Sequence, residues 1–276
     1  MTRASSTATA RRLHERYGPW AMVTGASSGI GRACAVQLAE AGLDLVLVAR
    51  SARELEALGA ELRARHHVET RVIAADLGDL ADVDAVIDTT RDLDIGLLVA
   101  AAGFGTSGPF LQADLARESA MLDVNCRALI PLSQAFGRRF AARKRGGIVL
   151  FASVLGFQGT PYSAHYAATK AFVQTFAEGL HVELKGSGVD VLATAPGPTR
   201  SGFAERSDMR MGFALTPDTV ARATLAALGH RSTVMPGALS KALTYPFAVL
   251  PRSVRARLMG RAMASMTSHR KDVAAG

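Results

Sequence analysis

From residue 19 onward, short apolar runs alternate with longer amphipathic stretches. The runs at 20–24 (WAMVT), 44–49 (DLVLVA), 71–75 (RVIAA), 95–100 (IGLLVA), 147–152 (GIVLFA) and 189–194 (VDVLAT) read as strands, with a weaker one at 232–235. Between them, helical periodicity occupies 30–41, 52–65, 80–90, 114–142, 163–185 and 217–228. The strands are apolar throughout rather than at every second residue, which predicts a parallel sheet covered on both faces. No internal repeat or linker divides the pattern. The expectation is one doubly wound α/β domain over 18–236, with a sheet of about seven strands. A flexible or helical extension at 1–17 precedes it, and a basic, helical extension at 237–276 follows.

Composition narrows the function classes. No window approaches the roughly 18 uninterrupted apolar residues of a membrane span; the longest candidate, ALTYPFAVL (242–250), is interrupted by Pro246. A water-soluble chain is expected. The net charge of +8 lies at the ends: four arginines face Glu15 in residues 1–16, and seven Lys/Arg face Asp272 in residues 237–276. The central domain is nearly neutral, which argues against a nucleic-acid reader. Cys34 and Cys126 have neither ligand spacing nor a disulfide-scaffold count, so a reduced, cytoplasmic setting is expected. The histidines, His66, His67 and His165 among them, form no metal-like cluster, and no metal site is expected. The Ser/Ala/Arg-rich opening is compatible with a transit peptide or with a short helix packed on the domain, the reading taken here.

The first strand runs into Thr24–Gly31, TGASSGIG, and then into a helix. Glycines at 25, 29 and 31 permit a tight turn and close backbone approach, and the helix N-terminus offers free N–H groups to a pyrophosphate. A second feature is HYAATKAF (165–172), where Tyr166 and Lys170 stand one helical turn apart and share a face. A nearby ammonium favours phenolate, so the pairing is expected to lower the Tyr166 pKa from its ordinary value near 10.

The G-x-x-x-G-x-G spacing together with Tyr166 and Lys170 resembles the short-chain dehydrogenase/reductase family over residues 19–235. Asp76, Asn125, Ser153 and the segment PGPTRS (196–201) fall in family order. The resemblance implies a Rossmann-type fold and a nicotinamide cofactor bound by Gly25, Ser27, Ser28, Gly29, Ile30 and Gly31. It also implies Asp76 and Leu77 at the adenine, Ala102 and Gly103 beneath it, and Pro196, Gly197, Thr199 and Ser201 at the nicotinamide and phosphates. Tyr166 would be general acid/base, Lys170 its electrostatic partner and a ribose ligand, Ser153 the group holding the substrate oxygen, and Asn125 the anchor of a water beside the lysine. The family's Asn-Asn-Ala-Gly is replaced by Ala100-Ala101-Ala102-Gly103, which removes polar bracing near the cofactor. This departure supports the alternative of a catalytically weak NADP(H)-binding regulator.

The second strand ends at Arg50, where a carboxylate would bind the 2′-hydroxyl of NAD; an arginine there suits the 2′-phosphate of NADP(H). The apolar residues Phe104, Phe110, Leu155, Phe157, Phe203, Met209, Met211, Phe213 and Leu215 either line a cleft for a hydrophobic ketone, aldehyde or alcohol or pack on one another. In the C-terminal extension, apolar residues at 254, 258, 259, 263 and 266 alternate with arginines. That segment either covers the cleft or a subunit contact, the reading preferred here, or lies on an anionic membrane surface. The family resemblance also implies a homodimer or homotetramer built through the helices carrying Asn125 and Tyr166.

Overall fold

The computed structural model of the chain describes residues 3–200, 214–242, 244 and 249–266. Seven strands, β1 (Trp20–Thr24), β2 (Asp44–Ala49), β3 (Thr70–Ala74), β4 (Ile95–Ala100), β5 (Gly146–Phe151), β6 (Val189–Thr194) and β7 (Thr233–Val234), form one sheet in the order β3-β2-β1-β4-β5-β6-β7. Every pairing is parallel. The order reverses between β1 and β4, the place where a doubly wound sheet opens a crevice at its carboxyl edge.

Helices α1 (Arg3–Tyr17), α2 (Gly29–Glu40), α3 (Ala52–His66) and α8 (Pro217–Ala227) cover one face; α4 (Leu80–Asp88), α6 (Leu129–Ala142) and α7 (Ala164–Lys185) cover the other. Their starts follow local chemistry. Ser51, Asp79 and Thr216 cap α3, α4 and α8 by accepting backbone N–H groups, and Pro217 occupies the first turn of α8. No helix among the described residues is long and apolar enough to cross a membrane.

The helix expected over 114–142 is broken. α5 (Leu115–Leu122) passes into a π turn at Asp123–Arg127, closed by Ala128 N–H donating to the Asp123 carbonyl at 2.9 Å, before α6 begins. Pro131, in the first turn of α6, has no N–H to give to the Arg127 carbonyl, so the hydrogen-bond ladder is interrupted where the π turn meets α6. The C-terminal segment contributes α9 (Gly237–Ala242) and α10 (Arg252–Met266).

α1 is tied to the amino edge of the sheet. Leu13 and Tyr17 are buried in the core, and the Tyr17 hydroxyl donates to Asp190 Oδ2 on β6 at 2.7 Å. Arg16 Nε meets the same oxygen at 2.6 Å, and Arg12 donates to the Leu225 and Leu228 carbonyls at the end of α8. Asp190→Ala would strand the Tyr17 hydroxyl and is expected to cost about 2 kcal/mol in urea unfolding, with Tyr17→Phe costing about 1 kcal/mol. An unchanged unfolding midpoint in Asp190→Ala would show that α1 is not held this way.

Candidate active site

At the carboxyl edge over the β1/β4 switch lies a cavity of about 410 Å³. Gly25, Ser27, Ser28, Gly29, Ile30 and Gly31 form one wall, Arg50 at the end of β2 another, and Asp76, Leu77, Ala102 and Gly103 a third. The glycine loop is shaped by its neighbours: Gly25 has φ +65°, and a Cβ there would stand 2.9 Å from the Ala102 backbone. Gly29 also has positive φ. Ser28 does not cap α2 with its side chain. The N-terminus of this twelve-residue helix therefore keeps free N–H groups facing the cavity, as a pyrophosphate cradle requires. Asp44, at the far end of β2, accepts the Glu69 N–H at 2.7 Å and takes no part.

Two features of this cavity were not anticipated. Thr24 Oγ1 accepts the Ala102 N–H at 3.1 Å, so the backbone after β4 is braced from β1 although Ala100 and Ala101 have no polar side chains. Glu54, one turn into α3, lines the same end as Arg50.

Beyond the cavity the second cluster converges. Ser153, just after β5, hydrogen-bonds Tyr166, and its Oγ also accepts the Leu155 N–H at 3.2 Å, which starts the 3-10 turn Val154–Phe157. Lys170 Nζ lies 5.8 Å from the Tyr166 ring centre and donates to the Phe151 carbonyl at 2.9 Å. Asn125, placed by the π turn, donates to the Phe104 carbonyl (2.9 Å) and Thr169 Oγ1 (3.1 Å) and accepts the Phe104 N–H (3.1 Å). A Cβ on Gly103 would fall 2.8 Å from Asn125 Oδ1 and 3.5 Å from Lys170 Nζ, so only glycine leaves this junction open. Pro196 accepts the Val154 N–H through its carbonyl, Gly197 N–H donates to Ser240 Oγ at 2.9 Å, and Thr199 is buried where it bridges Leu215. Ser240, from α9, is a support that no sequence motif signalled.

Ser201, Phe203, Met209, Met211 and Phe213 lie outside the described residues. Phe104 lines the cavity, Phe110 is 61% exposed, and Phe157 packs on the sheet's second core. His165 Nδ1 meets Glu118 Oε2 at 2.6 Å, and Glu118 is buried. This contact joins α5 to the start of α7 one residue before Tyr166. The sequence offered no periodic or motif signal for it, because the partners are 47 residues apart.

The expected lowering of the Tyr166 pKa is not found. Burial pushes the phenol up to about 12, against a smaller downward pull from its hydrogen bond to Ser153. Burial also pushes Lys170 down to about 8, with Cys126 acting in the opposite sense. Two adjacent desolvated groups each resist charging, and the ammonium meant to favour phenolate is itself disfavoured. A depressed lysine gives a signed prediction. Below about pH 8 both folded and unfolded chains hold the Lys170 proton, and the burial penalty stands in full. Between about 8 and 10.5 only the unfolded chain holds it, so this residue's contribution to stability rises with pH. Lys170→Met should therefore be more stable than wild type near neutrality, with the gap closing towards about pH 10 in urea unfolding. A gap independent of pH would mean that Lys170 is not desolvated.

The sequence profile of the short chain dehydrogenase family matches residues 19–211. A 7beta-hydroxysteroid dehydrogenase of Clostridium sardiniense is 32% identical over 83% of this chain and 89% of its own length. A very-long-chain 3-oxoacyl-CoA reductase of Anas platyrhynchos is 33% identical over 88% of this chain and 79% of its own. Among solved structures, one of a 7beta-hydroxysteroid dehydrogenase superposes with a TM-score of 0.83 at 28% identity, covering 90% of this chain and 98% of that one. A short-chain dehydrogenase from Sphingobium yanoikuyae in complex with NADPH superposes with a TM-score of 0.75 at 36% identity, covering 79% and 87%. The chain belongs to the short-chain dehydrogenase/reductase family, nicotinamide-dependent oxidoreductases acting on CH–OH and C=O groups.

Proposed function

We propose that the protein is an NADP(H)-dependent oxidoreductase that interconverts a carbonyl and a secondary alcohol on a hydrophobic substrate, with Tyr166 as general acid/base. The observation that carries this reading is the convergence of Ser153, Tyr166, Lys170 and Asn125 beside the cavity at the β1/β4 switch. The cradle fits a dinucleotide: Gly25 faces Ala102 so closely that a side chain would fill the loop, and the α2 N-terminus is open to phosphate. Gly25, Ser27, Ser28, Gly29, Ile30 and Gly31 would hold the pyrophosphate, Asp76 and Leu77 the adenine, and Pro196, Gly197 and Thr199, with Ser201, the nicotinamide side. The bound nicotinamide supplies the hydride.

The chain's own residues manage the proton and the substrate oxygen. Ser153 fixes that oxygen against Tyr166. A buried phenol with its pKa near 12 keeps its proton until negative charge develops on the substrate oxygen, which then becomes the stronger base and takes it. Lys170 replenishes or stabilises the tyrosine, and Asn125 holds the backbone around Phe104 and Thr169 that encloses them. The alternative of a catalytically weak NADP(H)-binding regulator rests on Ala100 and Ala101; the Thr24 hydrogen bond to the next residue, Ala102, argues against a loosened cofactor wall.

NADP(H) is preferred on the placement of Arg50 at the ribose end of the cavity. The Sphingobium relative in complex with NADPH agrees with that preference. Apolar side chains exposed on α5, α6 and α7, Leu115 (76%), Ile130 (48%) and Val182 (74%), favour a homodimer or homotetramer built through those helices. A cytoplasmic setting is proposed from the free, buried Cys34 and Cys126, and 18–236 is proposed as the catalytic domain on which α1 packs.

Tyr166→Phe should lower kcat on hydrophobic ketones by about 10²–10⁴ while NADPH binding, read by fluorescence, persists. Retained turnover would remove Tyr166 from the proton path. Arg50→Ala should raise the KM for NADPH about tenfold or more without a matching change for NADH. An unchanged NADPH/NADH ratio would transfer selectivity elsewhere, with Glu54 the first residue to vary.

A further inference from the structure

α10 carries Arg252, Arg255, Arg257 and Arg261, and residues 237–266 contain no aspartate or glutamate. Arg252, Arg257 and Arg261 are exposed, whereas Arg255 is turned onto the packed face of the helix. That face rests on the loop after the Ser153 turn. Gly260 stands against Pro161, where a Cβ would be 3.0 Å from the ring; Ala256 lies over Gly159; and Met263 is buried. Val254 and Leu258 remain 37% and 38% exposed. The packed face of the helix thus carries a cation, Arg255, beside Ala256, Gly260 and Met263.

Arg255 is poorly compensated there. Nη1 reaches the Phe157 carbonyl at 3.5 Å, the far limit of a hydrogen bond, and Nε is buried without a hydrogen-bond partner among the described residues. A guanidinium has five N–H donors in a planar fork shaped for a carboxylate or phosphate, and a buried donor left unmet is costly. Phe157 closes the 3-10 turn that starts behind Ser153. Four residues of such a turn advance about 8 Å, so Arg255 and the group that holds the reacting oxygen flank its two ends.

We infer that Arg255 is the anion-binding end of the substrate site, and that the substrate is a hydrophobic carbonyl compound bearing a carboxylate or phosphate about 8 Å from the reacting carbon. This rests on the reading of Ser153 and Tyr166 above. An anionic membrane would meet the exposed Arg252, Arg257 and Arg261, not the enclosed Nε of Arg255.

The test uses the full chain with NADPH and three matched probes. These are a straight-chain oxo acid with about 8 Å between ketone and carboxylate, its methyl ester, and the phosphate monoester of the corresponding oxo alcohol. One anionic probe should exceed the ester in kcat/KM by about ten- to a hundredfold, and which one it is separates carboxylate from phosphate. Arg255→Gln should bring that probe down to the ester's level through KM, and Arg255→Lys should keep part of the preference. A preference absent from wild type, or intact in Arg255→Gln, overturns the inference.

Equilibrium binding of the anionic probe to the Tyr166→Phe protein with NADP⁺ reads the same subsite without turnover. Weaker binding when Arg255→Gln is added supports the inference, and unchanged binding overturns it. Tyr166-dependent turnover of the ester alone would leave the carbonyl reading standing while the anion subsite falls. Arg255-dependent binding without turnover of any probe would do the reverse. Sedimentation with phosphatidylserine vesicles that is lost in Arg255→Gln, with probe binding unaltered, would overturn it in favour of a membrane contact.

Discussion

Burying the Lys170 amine is the constraint on which the rest of the site depends. An ammonium out of water needs a partner, and it finds the Phe151 carbonyl at the end of β5. Reaching that carbonyl brings α7 close against the loops of β4 and β5. A Cβ on Gly156 would stand 2.7 Å from the Lys170 backbone, and one on Gly103 would meet Asn125. The glycines at these two places are thus the clearance that a buried lysine demands. The same enclosure dries the phenol beside it, which is why burial outweighs any pull of the ammonium on Tyr166.

α7 is held in this attitude by a row of contacts to the segment before α6. Glu118 meets His165, Asn125 meets Thr169, and Cys126 Sγ approaches the Thr169 carbonyl at 3.6 Å. Glu118 lies on α5, whereas Asn125 and Cys126 lie in the π turn. That turn is therefore a feature of the site, as π turns in helices often are. His165, one position from Tyr166 and so on a different face of α7, makes an anchoring contact to Glu118 of α5.

The two extensions of the central domain differ in how they attach. α1 buries Leu13 and Tyr17 and closes the amino edge of the sheet with Asp190, far from the chemistry. The C-terminal helices lie at the carboxyl edge, with Ser240 supporting Gly197 and α10 resting on residues 157–161. The basic charge of the ends thus serves two unlike purposes. Arg12 and Arg16 neutralise helix-end carbonyls and a carboxylate, whereas the arginines of α10 have no acidic residue between 237 and 266 to pair with.

By itself the sequence determined the alternation of strands and helices, the parallel sheet, the glycine loop and the order of Ser153, Tyr166 and Lys170. These are local properties: period, turn chemistry and short spacing are written in neighbouring residues. Only the tertiary structure decided what depends on residues far apart in the chain. The pKa of Tyr166 turned on burial rather than on a lysine four residues away. The backbone after β4 is braced at Ala102 by Thr24, 78 residues upstream of the amide it accepts. The attitude of α10 could not follow from its own pattern, because its inward face was chosen by the loop at 157–161, which drew Arg255 in and left Val254 out. Desolvation and long-range hydrogen bonds are set by the packed whole, and a linear pattern carries no record of them.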